Sequence, residues 1–467
     1  MWLTIHRPEL IKFDEGTERL FAIGHEVGDV ARQQFPDGIL IENQENLTEA
    51  IEETARVLKE HPDKPFYEAT FTSGNILVRA DIFQKENEGY RLIEIKAATR
   101  VKAYYLNDVA VQAWVIKEAG YPIEKAIVGV INTGFVYEGE QNYEGLFSFI
   151  DITERIKERM RFIPTLVSEF QSVLNGDMPD IKMGKYCTDP NSCAFMEFCQ
   201  GELPEPTAYP VELLPRGGNV VLELKSRGII DIREIPAGDL KKELHEKVRR
   251  VTVSGRAEVE PEIGEYIKGL EYPLYYMDME TIQFPVPIYG GTRPYQQLPF
   301  QYSVHIEDKE GNLEHKEFLD ISGEAPMKKL AEGLIDDLGE RGAVCVYSAF
   351  EKARLAELAA MYPDLKPKLD KIVERLVDLL PLVRKYYYHK NMKGSWSIKT
   401  VLPTVAPDLD YGSLEEVKDG TGAQTAFLEA INSETRAERK EELRARMLEY
   451  CKMDTMGMVR LVEFFRR

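Results

Sequence analysis

Hydrophobic and polar positions follow two periods along this chain, and the two alternate in blocks. From Glu15 to Gln34, the residues Leu20, Phe21, Ile23, Val27, Val30 and Ala31 recur at helical spacing and predict an amphipathic helix. Gly24 and Gly28, four apart, leave a smooth patch on it where another element is expected to pack, and His25 beside the patch is either a ligand or a structural histidine. Strand-like runs follow at 66–71, 76–83 and 90–96, the last two bracketing the turn Lys85-Glu86-Asn87-Glu88-Gly89 and so predicting a hairpin.

The second half repeats the alternation. Pro204, Pro206, Pro210 and Pro215 mark a linker. After it, residues 220–236 read as short helices around a tight turn. Lys241, Lys242, Lys247, Arg249, Arg250 and Arg256 then give a local positive bias. The segment is either a plain spacer or a helical hairpin that grips a nucleic-acid backbone. Strands are then expected at 275–281, 299–306 and 312–319, a helix at 325–338, a buried strand at 344–347 and a helix from 348 to 361. A final helix, about 434–465, places Leu443, Met447, Tyr450, Asp454, Met458 and Leu461 on one stripe. Strands and helices interleaved in this way predict an α/β fold in three segments, 1–205, 206–268 and 269–467.

Composition narrows the class. The chain has 467 residues and a net charge of −20, which argues against coating nucleic acid non-specifically but is compatible with a metal-dependent nuclease. No apolar run is long enough to span a bilayer and no signal-peptide pattern opens the chain, so a cytoplasmic location is expected. Five cysteines, three of them at Cys187, Cys193 and Cys199, suggest a metal or cluster site rather than a disulfide framework.

The candidate chemistry rests on carboxylates. Along Tyr275-Tyr276-Met277-Asp278-Met279-Glu280-Thr281 the side chains alternate, so Asp278 and Glu280 share a face. Two ionised acids on a buried strand are costly unless a cation neutralises them, and hard oxygen ligands suit Mg2+ or Mn2+. Asp454 is the one charge on the apolar stripe of the last helix, with Tyr450 a turn before it. Its economical explanation is a shared metal site with Asp278 and Glu280. In the first segment Asp81 and Glu94 fall on adjacent strands of the hairpin, where they can hold a second cation. Lys96, on the same face as Glu94, can orient the attacking water or offset transition-state charge.

These residues carry resemblances. Asp81 followed by Glu94-Ile95-Lys96 resembles the PD-(D/E)XK nuclease superfamily in its RecB-like branch. That resemblance implies a restriction-endonuclease-like core and a role for Gln112 on the next helix. In this branch three C-terminal cysteines and one near the N-terminus hold a [4Fe–4S] cluster, which makes Cys187, Cys193 and Cys199, with Pro190 between them, the matching triplet. No cysteine lies in residues 1–186. The fourth would fall just before Trp2-Leu3, so either the chain begins late or the cluster is absent; three thiols binding zinc with a non-cysteine ligand, or packing a loop, is the alternative.

Asp278-x-Glu280 and Tyr450-x-x-x-Asp454 resemble the DEDD exonucleases of the ribonuclease-H-like fold, in the tyrosine variant. The family's second motif departs here: Glu351 stands where an aspartate is usual, and Asp378 competes for the role. Residues 269–467, including Gly394-Ser395-Trp396-Ser397-Ile398-Lys399, look like the bacterial domain-of-unknown-function 2779 family, whose members commonly join this domain to a RecB-like one. In that fold Lys399 would meet a phosphate and Trp396 would stack on a base, or the motif is a structural turn with a core tryptophan.

Together these readings predict a Mg2+- or Mn2+-dependent nuclease of DNA repair or defence, a 3′–5′ exonuclease with a second PD-(D/E)XK centre. Single-stranded or end-containing DNA is the expected partner, with no membrane. A nucleic-acid-binding scaffold with decayed sites and an RNA exonuclease are the alternatives.

Overall fold

A computed structural model describes the whole chain apart from residues 12–14, 43–45, 190, 202–206, 410, 411, 413 and 415 and the side chains of Glu15 and Glu18. Pro190, Pro204 and Pro206 therefore lie outside the described residues. The chain divides into two compact units, Met1–Pro204 with Phe284–Gln296, and Glu205–Gln283 with Gln297–Arg467.

The first unit opens with α1 (Trp2–His6) and α2 (Glu15–Arg32), then β1 (Ile39–Leu40), α3 (Leu47–Glu60), β2 (Phe66–Ser73), β3 (Ile76–Glu86) and β4 (Gly89–Lys96). It continues through α4 (Ala103–Glu118), β5 (Ile123–Ile131), β6 (Phe147–Asp151), α5 (Thr153–Asn175) and α6 (Met196–Gln200). The six strands form one mixed sheet in sequence order, parallel at β1/β2 and β4/β5 and antiparallel elsewhere. Alternation along β4 sorts its side chains: Leu92 packs in the cluster with Val109 and Ala113 of α4, while Ile93 and Ile95 meet Val27 and Val30 of α2. Glu94 shares the α4 side, which carries it to Gln112.

Phe284–Gln296 was expected to continue the last segment, yet it packs in this first unit. Val286 enters the α2-side cluster, and Tyr137 and Thr292 are joined by a backbone N–H donated from Tyr137 to the Thr292 carbonyl at 2.9 Å.

The second unit contains α7 (Gly218–Ser226), α8 (Glu243–Ser254), β7 (Glu258–Val259), α9 (Glu262–Lys268), β8 (Leu274–Ile282), β9 (Leu298–Glu307) and β10 (Leu313–Leu319). Then come α10 (Met327–Leu338), β11 (Val344–Val346), α11 (Phe350–Met361), α12 (Lys366–Glu374), β12 (Leu376–Asp378), α13 (Leu379–Tyr386), β13 (Tyr387–Tyr388), α14 (Ile398–Val405), α15 (Gly420–Ile431) and α16 (Ala437–Arg466). Its main sheet has the order β10-β9-β8-β11-β12, antiparallel through β10, β9 and β8 and parallel from β8 through β11 to β12. The chain is thus an α/β protein built on mixed sheets. Among the described residues no helix is long and apolar enough to cross a membrane.

Residues 206–268 do not stand apart as a linker. Val211, Leu224, Ile232, Val248, Val251 and Ile263 share one core with Tyr276, Cys345, Val383, Trp396 and Met458. Three of the six basic residues read there are paired within the unit. Lys247 is buried against Glu260, Arg249 pairs with Glu246 and Arg250 with Glu258.

Candidate functional site

The face of β8 that carries Tyr276, Asp278 and Glu280 is turned to α16, and each end of that contact is fixed by a polar link. At one end Tyr276 donates to Glu307 at 2.6 Å, and Arg466, from the last turn of α16, pairs with the same carboxylate. At the other, Gln301 on β9 donates to the Met447 carbonyl at 2.7 Å. Between them the ligand oxygens of Asp278, Glu280 and Asp454 lie within 4.8 Å of one another, the one such set of three potential metal ligands among the described residues. Glu280 and Asp454 are buried and Asp278 is partly so.

Burial and mutual repulsion disfavour the ionised form of these carboxyls. Burial, then the neighbouring Asp454 and Glu280 carboxylates, raise Asp278 well above the usual carboxylate range. Burial and Asp454 push Glu280 up to about 8, with Lys399 opposing. Burial also raises the Tyr450 hydroxyl, which is hydrogen-bonded to Asp454. Glu351, at the start of α11, is 4% exposed and pushed up to about 7, chiefly by burial, and its Oε2 has no hydrogen-bond partner among the described residues. An orphaned buried carboxylate oxygen beside three converging acids fits a hard divalent ion.

Between the two second-motif candidates, the geometry favours Glu351. Its charge acts on both Asp278 and Glu280. Asp378 instead caps α13, its Oδ1 accepting from the Leu380 N–H at 3.0 Å.

Three neighbours went unread in the sequence. Cys451 is fully buried with its Sγ 3.7 Å from Asp278 Oδ2. Asp419 caps α15 and adds its charge to Glu280, and at Gly420 a Cβ would stand 3.5 Å from Glu280 Oε2. A cap and a glycine signal only a helix start, so nothing marked them as neighbours of the acids.

The first unit assembles its own set. Asp81 accepts the Ile95 N–H at 2.6 Å; Lys96 bridges Glu94 and Asp108 at 2.7 and 2.8 Å; Gln112 donates to Glu94 at 2.8 Å. A cavity of about 350 Å3 opens onto Asp81, Glu94 and Lys96, and Gly24, His25 and Gly28 of α2 line it. The glycine patch does not receive another element as expected: nothing lies within 4 Å of a Cβ built at Gly24 or Gly28. It widens the cavity instead.

Glu68 was also unforeseen. Tyr67 pairs with Ile82 and Ala69 with Ala80, but the Glu68–Asp81 step between them is skipped, and Glu68 takes a left-handed φ of 58°. This turns its carboxylate into the cavity, where it pairs with Arg32 at 2.8 Å. A strand pattern carries no signal for such a twist.

Cys187 and Cys193 precede α6, which holds Cys199, and the Cys193 N–H is donated to the Cys187 carbonyl at 2.8 Å. Cys187 and Cys199 are half-buried and Cys193 is exposed. Cluster ligation wants four thiolates, and Cys345 and Cys451 are buried in the other unit. Among the described residues of this unit, Cys187, Cys193 and Cys199 supply three thiols toward such a set.

Trp396 is a correction to base stacking. It is 4% exposed, its indole N–H donates to the Tyr387 carbonyl at 2.9 Å, and its ring packs on Tyr388. The glycine of its motif is required by a close approach, since a Cβ at Gly394 would stand 1.7 Å from the Leu213 carbonyl oxygen. Lys399 reaches the acids' neighbourhood, with its Nζ 4.8 Å from the Tyr450 ring centroid.

The uncharacterized protein MG366 homolog of Mycoplasma pneumoniae is 26% identical over 216 residues, covering 41% of this chain and 32% of the relative. The uncharacterized protein MG366 of Mycoplasma genitalium is 26% identical over 217 residues with the same shares. The chain spans about a third of the length of these relatives. The family model of a domain of unknown function, DUF2779, matches residues 275–397, a stretch that holds Asp278, Glu280, Glu351 and Trp396. Over those residues, the chain is similar to the DUF2779 family.

Proposed function

We propose that the protein is a divalent-metal-dependent nuclease that hydrolyses phosphodiester bonds, with a ribonuclease-H-like 3′–5′ exonuclease centre in the second unit and a restriction-endonuclease-like, PD-(D/E)XK centre in the first. The observation that carries this reading is the convergence of Asp278, Glu280 and Asp454, with the unpartnered Glu351 oxygen beside them.

Asp278, Glu280 and Asp454 would hold Mg2+ or Mn2+, which would supply an activated water and stabilise the leaving 3′ oxygen. The residues do the rest. Tyr450, hydrogen-bonded to Asp454, orients the attacking water at the edge of the acid cluster. Lys399 offsets charge on the substrate phosphate. In the first unit Asp81 and Glu94 are the cation ligands, Gln112 fixes the rotamer of Glu94, and Lys96 stabilises charge on the phosphoryl group. The three antiparallel strands continued by two parallel ones support the fold assignment of the second centre. Single-stranded or end-containing DNA, in cytoplasmic repair or defence, is the substrate class this reading favours.

The test is release of acid-soluble nucleotide from single-stranded DNA, and in parallel RNA, with Mn2+. Loss of release in Asp278→Asn and Asp454→Asn supports the reading. A parent that releases nothing from either polymer leaves a nucleic-acid-binding scaffold in its place.

A further inference from the structure

The second unit holds a cavity of about 660 Å3 that the proposed chemistry does not use. Arg216 and Arg384 line it, with Ser395, Ser397, Tyr347 and Trp396. Both arginines are exposed. Among the described residues neither has a carboxylate within ion-pair distance or a hydrogen-bond partner, whereas Arg249, Arg250, Arg439 and Arg446 in the same unit are all paired. Arg384 acts on Asp378 and Tyr347 only at longer range, so in a chain of net charge −20 two guanidiniums without a contact ion pair meet at one cavity.

Their positions are fixed. The buried His245 ring is hydrogen-bonded to the Pro215 carbonyl at 2.8 Å, and the Gly394 backbone closes on Leu213, so the turn before Arg216 is clamped from two sides. Tyr347 donates to the Trp396 carbonyl at 2.9 Å and joins the cavity wall to β11. From this wall α14 starts at Ser397, whose side chain makes no capping bond, and its second residue, Lys399, reaches Tyr450.

We infer that this cavity is a backbone-phosphate subsite for a polynucleotide strand whose end lies at the carboxylates. Guanidinium forks and hydroxyl donors suit a phosphodiester, and phosphate contacts of this kind set register without reading sequence. The inference rests on the nuclease reading for its substrate class.

Equilibrium binding of a fluorescein-labelled oligodeoxythymidylate to the full chain, with Ca2+ in place of a catalytic cation, tests it. Each phosphate contact to a single strand adds about 0.7 to the slope of log K against log salt, so Arg216→Gln/Arg384→Gln should lower that slope by about 1.4 and raise Kd at least about tenfold at low salt. Arg216→Lys/Arg384→Lys should keep the slope, and all variants should melt as the parent does. Unchanged Kd and slope in the glutamine variant overturn the subsite. So does a cavity that binds inorganic phosphate through these arginines while strand binding ignores them. A parent that binds the strand through both arginines yet degrades neither DNA nor RNA sinks the nuclease reading and leaves the subsite standing. Degradation unaffected by the glutamine variant does the reverse.

Discussion

The Lys399 ammonium stands 4.8 Å from the centroid of the Tyr450 ring, which joins the motif after β13 to the helix that carries Asp454. Lys399 also donates to the Lys418 carbonyl at 2.7 Å, just before the cap of α15, and its charge opposes the rise in Glu280. Under the proposed function it is the cation that would offset charge developing on a phosphate. Lys399→Met should therefore cut single-turnover cleavage by about 10²-fold while leaving Mn2+ binding, read by calorimetry, in place. Equal loss of Mn2+ binding would make Lys399 part of the ligand scaffold instead.

Glu280 and Glu351 are pushed up to about 8 and about 7, first by burial. A carboxyl raised in the folded state holds its proton longer there than in the unfolded chain, so the associated stability is present at low pH. It is lost as pH rises through the unfolded value toward the folded one. In EDTA the protein should lose roughly 2 kcal/mol or more between about pH 5 and pH 8, and Glu280→Gln should flatten that profile. Mn2+ should raise Tm more at the upper end of this window, where it no longer competes with protons. A profile that is flat in the parent would contradict the cluster electrostatics.

Trp396 is a core residue in this account. Trp396→Ala should cost about 3–5 kcal/mol in urea unfolding, and Trp396→Phe less. A stable Trp396→Ala that loses only strand affinity would restore the stacking role.

In the first unit Lys96 is shared between buried Glu94 and the more exposed Asp108. Lys96→Met should abolish whatever cleavage survives in an Asp278→Ala/Glu280→Ala background. Asp108→Asn removes an exposed partner worth about 0–1 kcal/mol and should change that cleavage by less than about fivefold.

The sequence carried the acids because each breaks a local pattern: Asp278 and Glu280 in an apolar strand, Asp454 on an apolar stripe, Glu94 one step from Lys96 at a strand end. Helix and strand positions were legible for the same reason, and the 3.6 and 2.0 periods located α2, β8, β9 and α16 to within a few residues. What stayed hidden depends on partners distant in the chain. Glu68 enters its cavity through a backbone twist with no compositional mark. Arg216 and Arg384 meet only after the clamped turn and α13 are brought together. Val286 looks like part of a loop until its burial partners Ile82 and Ile95 are known. The segment 206–268 reads as a spacer because prolines punctuate its start, yet its apolar positions complete the core around Tyr276.

Degradation of 5′-labelled and 3′-labelled single-stranded DNA with Mn2+ tests the central claim most directly, comparing the parent with Asp278→Ala/Glu280→Ala and with Asp81→Ala/Glu94→Ala. Two centres predict that each double variant removes a distinct part of the product pattern, the first abolishing stepwise loss from the 3′ end. Identical patterns in all three proteins, or no cleavage by the parent, would contradict it.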